Sequence, residues 1–242
     1  MLYGMDKKSL IGENMIKQLN KIQLIFECNE TEVISEFALK LEKFFSNQDV
    51  DSYFNIEYNN LELILLTKEE LDKEILKVST SYKDAVPEWV VGFTTEKRSY
   101  IVFPEKNKID YYVQLALHEL VHLLIYKLNI NGKRSKLLEE GLATYISNQM
   151  TQAQFQKIVQ DYKNNSLKKL FDLSKYDSKE FGENNGYYYS FFLIKFLKNN
   201  YSKEKIIYYI MNSDEFESNL GTLEREFEEF LVNEIKKYTN NI

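Results

Sequence analysis

The chain has two histidines, and both lie in one pentapeptide, His118-Glu119-Leu120-Val121-His122. On a helix, residues four apart share a face, so both imidazoles can reach one metal ion. The residue after the first histidine projects to one side. From there its carboxylate can reach a water at the metal without ligating the metal itself. Two ligands and one base make the division of labour of zinc-assisted hydrolysis. The segment around the motif is apolar on both sides (Leu115, Ala116, Leu117, Leu120, Val121, Leu123, Leu124, Ile125). Three polar groups inside such a segment need partners to offset the cost of burial.

A catalytic zinc site uses three protein ligands and leaves a fourth position open, so two imidazoles are one ligand short. No histidine is left, and the one cysteine, Cys28, is read as a small apolar core residue at the end of a distant strand. The third ligand must therefore be a carboxylate. Residues 137–145, Leu-Leu-Glu-Glu-Gly-Leu-Ala-Thr-Tyr, read as an amphipathic helix with two adjacent acids, Glu139 and Glu140. If this helix runs back antiparallel to the motif helix, either acid is a candidate. Glu140 is the better one, because Gly141 and Ala143 follow it and let two helices approach closely.

The elements that must position these groups can be read from periodicity. Residues 7–20 are weakly helical, and residues 21–27 alternate with Ile22, Leu24 and Phe26 on one side, as a strand does. Residues 31–45 form an amphipathic helix, and 61–66 an apolar strand. Thr67 to Glu70 makes a capping box that opens a helix to about Lys77. After a loop over 78–88 come two strand-like runs, 89–93 and 99–103, joined as a hairpin. Trp89 is read as a core anchor. Asp110 can cap the motif helix, which runs to about Leu128 and ends at Asn131-Gly132. Lys133-Arg134 reads as a solvated loop. Further helices are expected over 135–148, 151–162, 167–173, 186–200, 203–212 and 222–238. The last carries Leu223, Phe227, Phe230, Leu231 and Ile235 on one stripe, with Glu224, Glu226, Glu228 and Glu229 facing solvent.

Composition narrows the class further. At 242 residues with 44% apolar and 14% aromatic residues, the chain can bury one substantial core. Two prolines and eight glycines favour long helices over a turn-rich β fold. A net charge of −6 argues against nucleic acid as partner. No stretch approaches the roughly 18 apolar residues of a membrane span. With one thiol and no apolar leader, the expectation is a cytoplasmic protein that engages no membrane. The 1–242 span is expected to be one domain, with an N-terminal lobe to about residue 130 and a C-terminal lobe from about 131.

The motif pair, His-Glu-x-x-His followed by Glu-Gly-Leu-Ala-x-Tyr, resembles the gluzincin zinc metallopeptidases. It is most similar to the compact bacterial peptidase MA-like proteins, relatives of thermolysin-like and zinc aminopeptidase catalytic domains. The similarity covers roughly residues 60–240 and includes the Trp-Val-Val-Gly run at 89–92 and the tyrosine-rich helix from Gly186. It implies an α+β, zincin-like fold: an N-terminal lobe with a small mixed sheet and helices, a mostly α-helical C-terminal lobe, and an active-site cleft between them. It implies one zinc ion held by His118, His122 and Glu140, with Glu119 as general base. It also implies that Thr144 orients His118 and that Tyr187 stabilises the oxyanion, with Tyr188 the nearest rival. Residues 99–103 resemble the edge strand that pairs with substrate, which assigns Tyr100, Ile101 and Val102 to substrate binding.

The chain lacks the Gly-x-Met-Glu-Asn segment that holds a free amine in the aminopeptidases, and it lacks the downstream histidine of the thermolysin group. The expected function is thus a zinc endopeptidase acting on peptides or unfolded protein. The alternatives are a non-catalytic zinc-binding protein that takes a partner in its groove, and a hydrolase of a non-peptide amide.

Overall fold

The computed structural model describes residues 15–27, 31–47, 50–54, 58–79, 82, 85–128 and 134–240. Cys28 and the Asn131-Gly132 helix end lie outside these residues, as do Lys133 and the first half of the segment expected to be a weak helix. The architecture is α+β, a five-stranded mixed sheet with helices around and after it.

The sheet is built by the first hundred residues. β1 (Met15–Leu19) and β2 (Ile22–Phe26) form an antiparallel hairpin whose two-residue turn has Asn20 at φ 36°. The expected helix over residues 7–20 is corrected here: residues 15–19 are strand. Their side chains are mostly exposed, so no buried stripe of helical period competes with pairing to β2. β2 buries Ile22, Leu24 and Phe26 in alternation, as its sequence demands. α1 (Glu32–Asn47) and the short α2 (Val50–Phe54) lead to β3 (Leu61–Leu66), which lies parallel to β2. α3 (Lys68–Val78) starts at a complete capping box between Thr67 and Glu70; such a cap is worth about 1 kcal/mol.

β4 (Gly92–Thr94) and β5 (Ser99–Val102) complete the sheet in the order β1-β2-β3-β5-β4. β5 is parallel to β3 and antiparallel to β4, so it is an interior strand and β4 is the edge on that side of the sheet. β4 is also shorter than the expected run over 89–93. Val90 N–H donates to the Pro87 carbonyl, closing a turn that leaves Trp89 at its corner outside the ladder.

The rest of the described chain is helical. After a short 3₁₀ turn at Lys106–Lys108, α4 (Ile109–Lys127) carries the histidine motif. Asp110 does not cap it; this carboxylate sits in the first turn and pairs with Lys40 of α1 at 2.9 Å. α4 is apolar almost all round and is buried accordingly, packed against β3, β4 and β5, α1, and α5 (Lys136–Ile146). α6 (Gln152–Lys163) opens at the Thr151 to Gln154 capping box. α7 (Leu170–Leu173) and α8 (Ser178–Glu183) are short; α8 is capped by Asp177 and was not legible as a periodic run. α9 (Gly186–Asn200), α10 (Lys203–Met211) and α11 (Ser213–Thr239) follow.

α11 buries Leu223, Phe227, Leu231 and Ile235 and half-buries Phe230, as its stripe predicts, but starts nine residues early. Its acidic run is only partly a solvated face. Glu224 accepts the Leu170 and Phe171 amides at the start of α7, and Glu228 pairs with Lys169. No helix among the described residues is long and apolar enough to cross a membrane.

Candidate metal centre

The histidine motif lies at the middle of α4, where apolar neighbours leave its polar groups one direction to face. His118 Nε2 and His122 Nε2 are 3.1 Å apart. Glu140 Oε2 lies 3.3 Å from each of them. Ligands at the 2.0–2.1 Å distances of zinc, placed at the corners of a tetrahedron, are separated by roughly 3.3–3.4 Å. The three donor atoms thus already stand at the spacing of one face of a zinc tetrahedron. They are the only trio of ligating side chains that converge in this way among the described residues. The residues present fit the metal that the motif implies.

α5 delivers Glu140 because it packs on α4 from one side and on α9 from the other. Gly141 is the point of closest approach. A Cβ there would fall 2.5 Å from the Ser190 carbonyl oxygen of α9, so a side chain at this position is excluded by backbone. The choice between the two acids is made by their neighbours. Glu139 turns to Arg134, whose Nε lies 3.3 Å from its Oε1. Arg134 in turn stacks on the Tyr126 ring at 3.9 Å and donates to its hydroxyl at 2.8 Å. Arg134 is therefore not the solvated residue its position suggests.

Electrostatics at the trio are mutual. Burial alone would depress the His122 imidazolium, but the adjacent Glu140 carboxylate overrides it and His122 is pushed up to about 9. Burial alone would raise Glu140, and the two imidazoles hold it well below the usual carboxylate range instead. Glu119 is 6% exposed, and burial raises its pKa against the pull of both histidines. Its carboxylate is not one of the trio. Oε2 accepts from Thr94 Oγ1 at 2.8 Å.

Tyr187, in the first turn of α9, stands with its ring centroid 6.4 Å from that of His118. Burial, reinforced by the Glu140 charge, raises its pKa well above the ordinary phenol value, so it remains a hydroxyl donor throughout the neutral range. Tyr188 borders the same cavity. Thr144 is buried one turn beyond Glu140. Its Oγ1 and the Nδ1 of His118 are each buried without a hydrogen-bond partner.

A cavity of about 600 Å³ opens over these groups. α3, Ser79, Tyr82, residues 89–91, β4 and α4 line it together with α5, α8 and α9. Tyr100, Ile101 and Val102 do not border it, and their assignment to substrate binding is corrected. β5 is hydrogen-bonded to strands on both sides, Ile101 and Val102 are buried, and Tyr100 stacks on Phe93 at 4.6 Å. The strand with an outer side is β4, and Gly92, Phe93 and Thr94 do line the cavity. Trp89 is corrected too: it is 49% exposed and lies on the cavity rim, with its ring tip against Gly182 of α8. Sequence reasoning missed Gly92, Thr94, Arg134 and Tyr82, which also borders the cavity. Only the pairing register of the hairpin, Thr94 opposite Ser99, brings Thr94 beside the motif.

No protein-family model matches this chain, and no curated protein matches it.

Proposed function

We propose that the protein is a zinc-dependent peptidase of the gluzincin type, acting as an endopeptidase on extended peptides or unfolded protein in a zincin-like cleft. The observation that carries this reading is the spacing of 3.1–3.3 Å among His118 Nε2, His122 Nε2 and Glu140 Oε2, with the Glu119 carboxylate beside them but outside the trio. A purely structural metal site has no use for that fourth group.

His118, His122 and Glu140 would hold the metal. When bound, zinc supplies Lewis acidity, bringing the pKa of a water towards about 7 and polarising a carbonyl. Glu119 takes the proton released as water attacks the scissile carbonyl, then delivers it to the leaving amine. Burial suits it to both tasks, because a raised carboxyl pKa brings the acid form closer to neutral pH. Tyr187 donates to the oxygen that gains charge, and its raised pKa keeps the proton available. The role of Thr144 in orienting His118 rests on the motif resemblance, since Thr144 Oγ1 and His118 Nδ1 are both buried and make no hydrogen bond to each other. β4, as the edge strand, pairs with the extended backbone of the substrate.

The test compares zinc-loaded wild type with Glu119→Gln on an intrinsically unstructured protein and on a panel of small amides. The expected result is equal zinc content in the two proteins and peptide cleavage by wild type alone. Undiminished cleavage by the variant removes Glu119 from its role. Full zinc content with no cleavage by wild type favours a zinc-binding protein that holds a partner in its groove. Turnover confined to the small amides favours a different hydrolase.

A further inference from the structure

Glu119 is held by the hairpin from two directions. Thr94 Oγ1 lies 2.8 Å from Glu119 Oε2, 2.9 Å from the Glu119 backbone carbonyl oxygen and 3.0 Å from Ser99 Oγ. Ser99 Oγ lies 2.9 Å from the same carbonyl oxygen. Each hydroxyl has one proton to give. If Ser99 donates to the carbonyl, the Thr94 proton is left for the carboxylate, and the two protons account for these two bonds; the contacts of Thr94 Oγ1 with the carbonyl oxygen and with Ser99 Oγ then carry no proton of their own. The other carboxylate oxygen faces Gly92. A Cβ on Gly92 would stand 2.9 Å from Glu119 Oε1. The side chain is thus bracketed between a hydroxyl and a bare backbone, both from β4.

The same strand presents its backbone to the cavity. Val102 N–H donates to Val91 O, and Thr95 N–H to Arg98 O. In an antiparallel ladder, hydrogen-bonded pairs alternate with pairs that are not bonded to each other. The amides and carbonyls of Val91, Phe93 and Thr95 therefore point to β5, and those of Gly92 and Thr94 point outward. The residue that offers its backbone to an incoming chain also holds the base by its side chain.

We propose that Thr94 is a positioning residue that aims the Glu119 carboxylate and ties its placement to the edge strand on which substrate docks. The proposal rests on the peptidase reading for its kinetic consequence, but the position of the carboxylate can be tested without it. Thr94→Val keeps the shape and loses the hydroxyl; Thr94→Ser keeps the hydroxyl.

In zinc-loaded protein assayed with an unstructured peptide, Thr94→Val should lower kcat by about tenfold to a hundredfold, the usual scale for a hydrogen bond to a charged group. KM and zinc content should stay near wild type. Thr94→Ser should remain within a few-fold of wild type. Crystal structures of the two variants should show the carboxylate displaced in Thr94→Val and in place in Thr94→Ser. A carboxylate that keeps its position in Thr94→Val overturns the proposal, as does a Thr94→Ser enzyme as impaired as Thr94→Val, or a loss confined to KM. If Thr94→Val does not fold, Thr94→Ala and Thr94→Ser are compared by the same criteria. If the carboxylate moves as expected while wild type cleaves nothing, the peptidase reading fails and the positioning role stands.

Discussion

His122 and Glu140 face each other at 3.3 Å in a site that burial alone would make hostile to both charges. Their mutual support has a consequence for the metal-free chain. His122 is raised from about 6.5 to about 9. A folded-state value above the unfolded one stabilises the fold fully below about pH 6.5, and this contribution is lost as pH rises through about 9. The melting temperature of chelated protein should therefore fall between pH 6 and pH 10, and part of that fall should be missing in Glu140→Gln. An equal fall in both proteins would assign it to other groups. At this scale the sequence is informative where geometry is local. His118, Glu119 and His122 are fixed by helical spacing alone. The preference for Glu140 over Glu139 could be argued from the small residues beyond it. What turns Glu139 away is Arg134, stacked on Tyr126 of α4, and Arg134 comes from a segment whose sequence reads as an ordinary polar loop.

Between elements, the decisive contact is α5 against α9. Those two helices carry Glu140 and Tyr187, and Gly141 sets how near they lie. Gly141→Ala should push the helices apart, because the obstructing atom is a backbone carbonyl that cannot rotate away. The expected cost is about 1–3 kcal/mol, the usual range for overpacking. It should appear as a lower melting temperature together with loss of peptide cleavage. An alanine variant as stable and as active as wild type would show that the helices have room to spare. The helices with clear caps and stripes were legible from sequence: α3, α6, α9 and the buried face of α11. Strand order was not. A hairpin can be read from two β-like runs, but which of its strands joins the sheet interior depends on β3, almost forty residues upstream of β5. That is why the edge falls on β4 and not on residues 99–103. Trp89 failed for a related reason: a turn closed at Val90 lifts it from the ladder, and a local window shows only its hydrophobicity.

Across the whole molecule, the sheet and the helices that follow it meet at one cavity: β4 lines it, and the trio comes from two of the helices, two imidazoles from α4 and one carboxylate from α5. The broad class, a small mixed sheet with a largely helical second half, follows from where β-like runs stop and long amphipathic segments begin in the sequence. The aperture between them does not, since it is lined by side chains from segments far apart in the chain. A metal at this junction ties the two helices together, so its position tests the fold and the chemistry at once. The most direct measurement is anomalous diffraction at the zinc edge from crystals of the zinc-loaded protein. The account predicts one peak about 2.0–2.2 Å from His118 Nε2, His122 Nε2 and a Glu140 oxygen, with Glu119 outside bonding distance. A peak elsewhere, or Glu140 turned to solvent with no carboxylate beside the imidazoles, would contradict it.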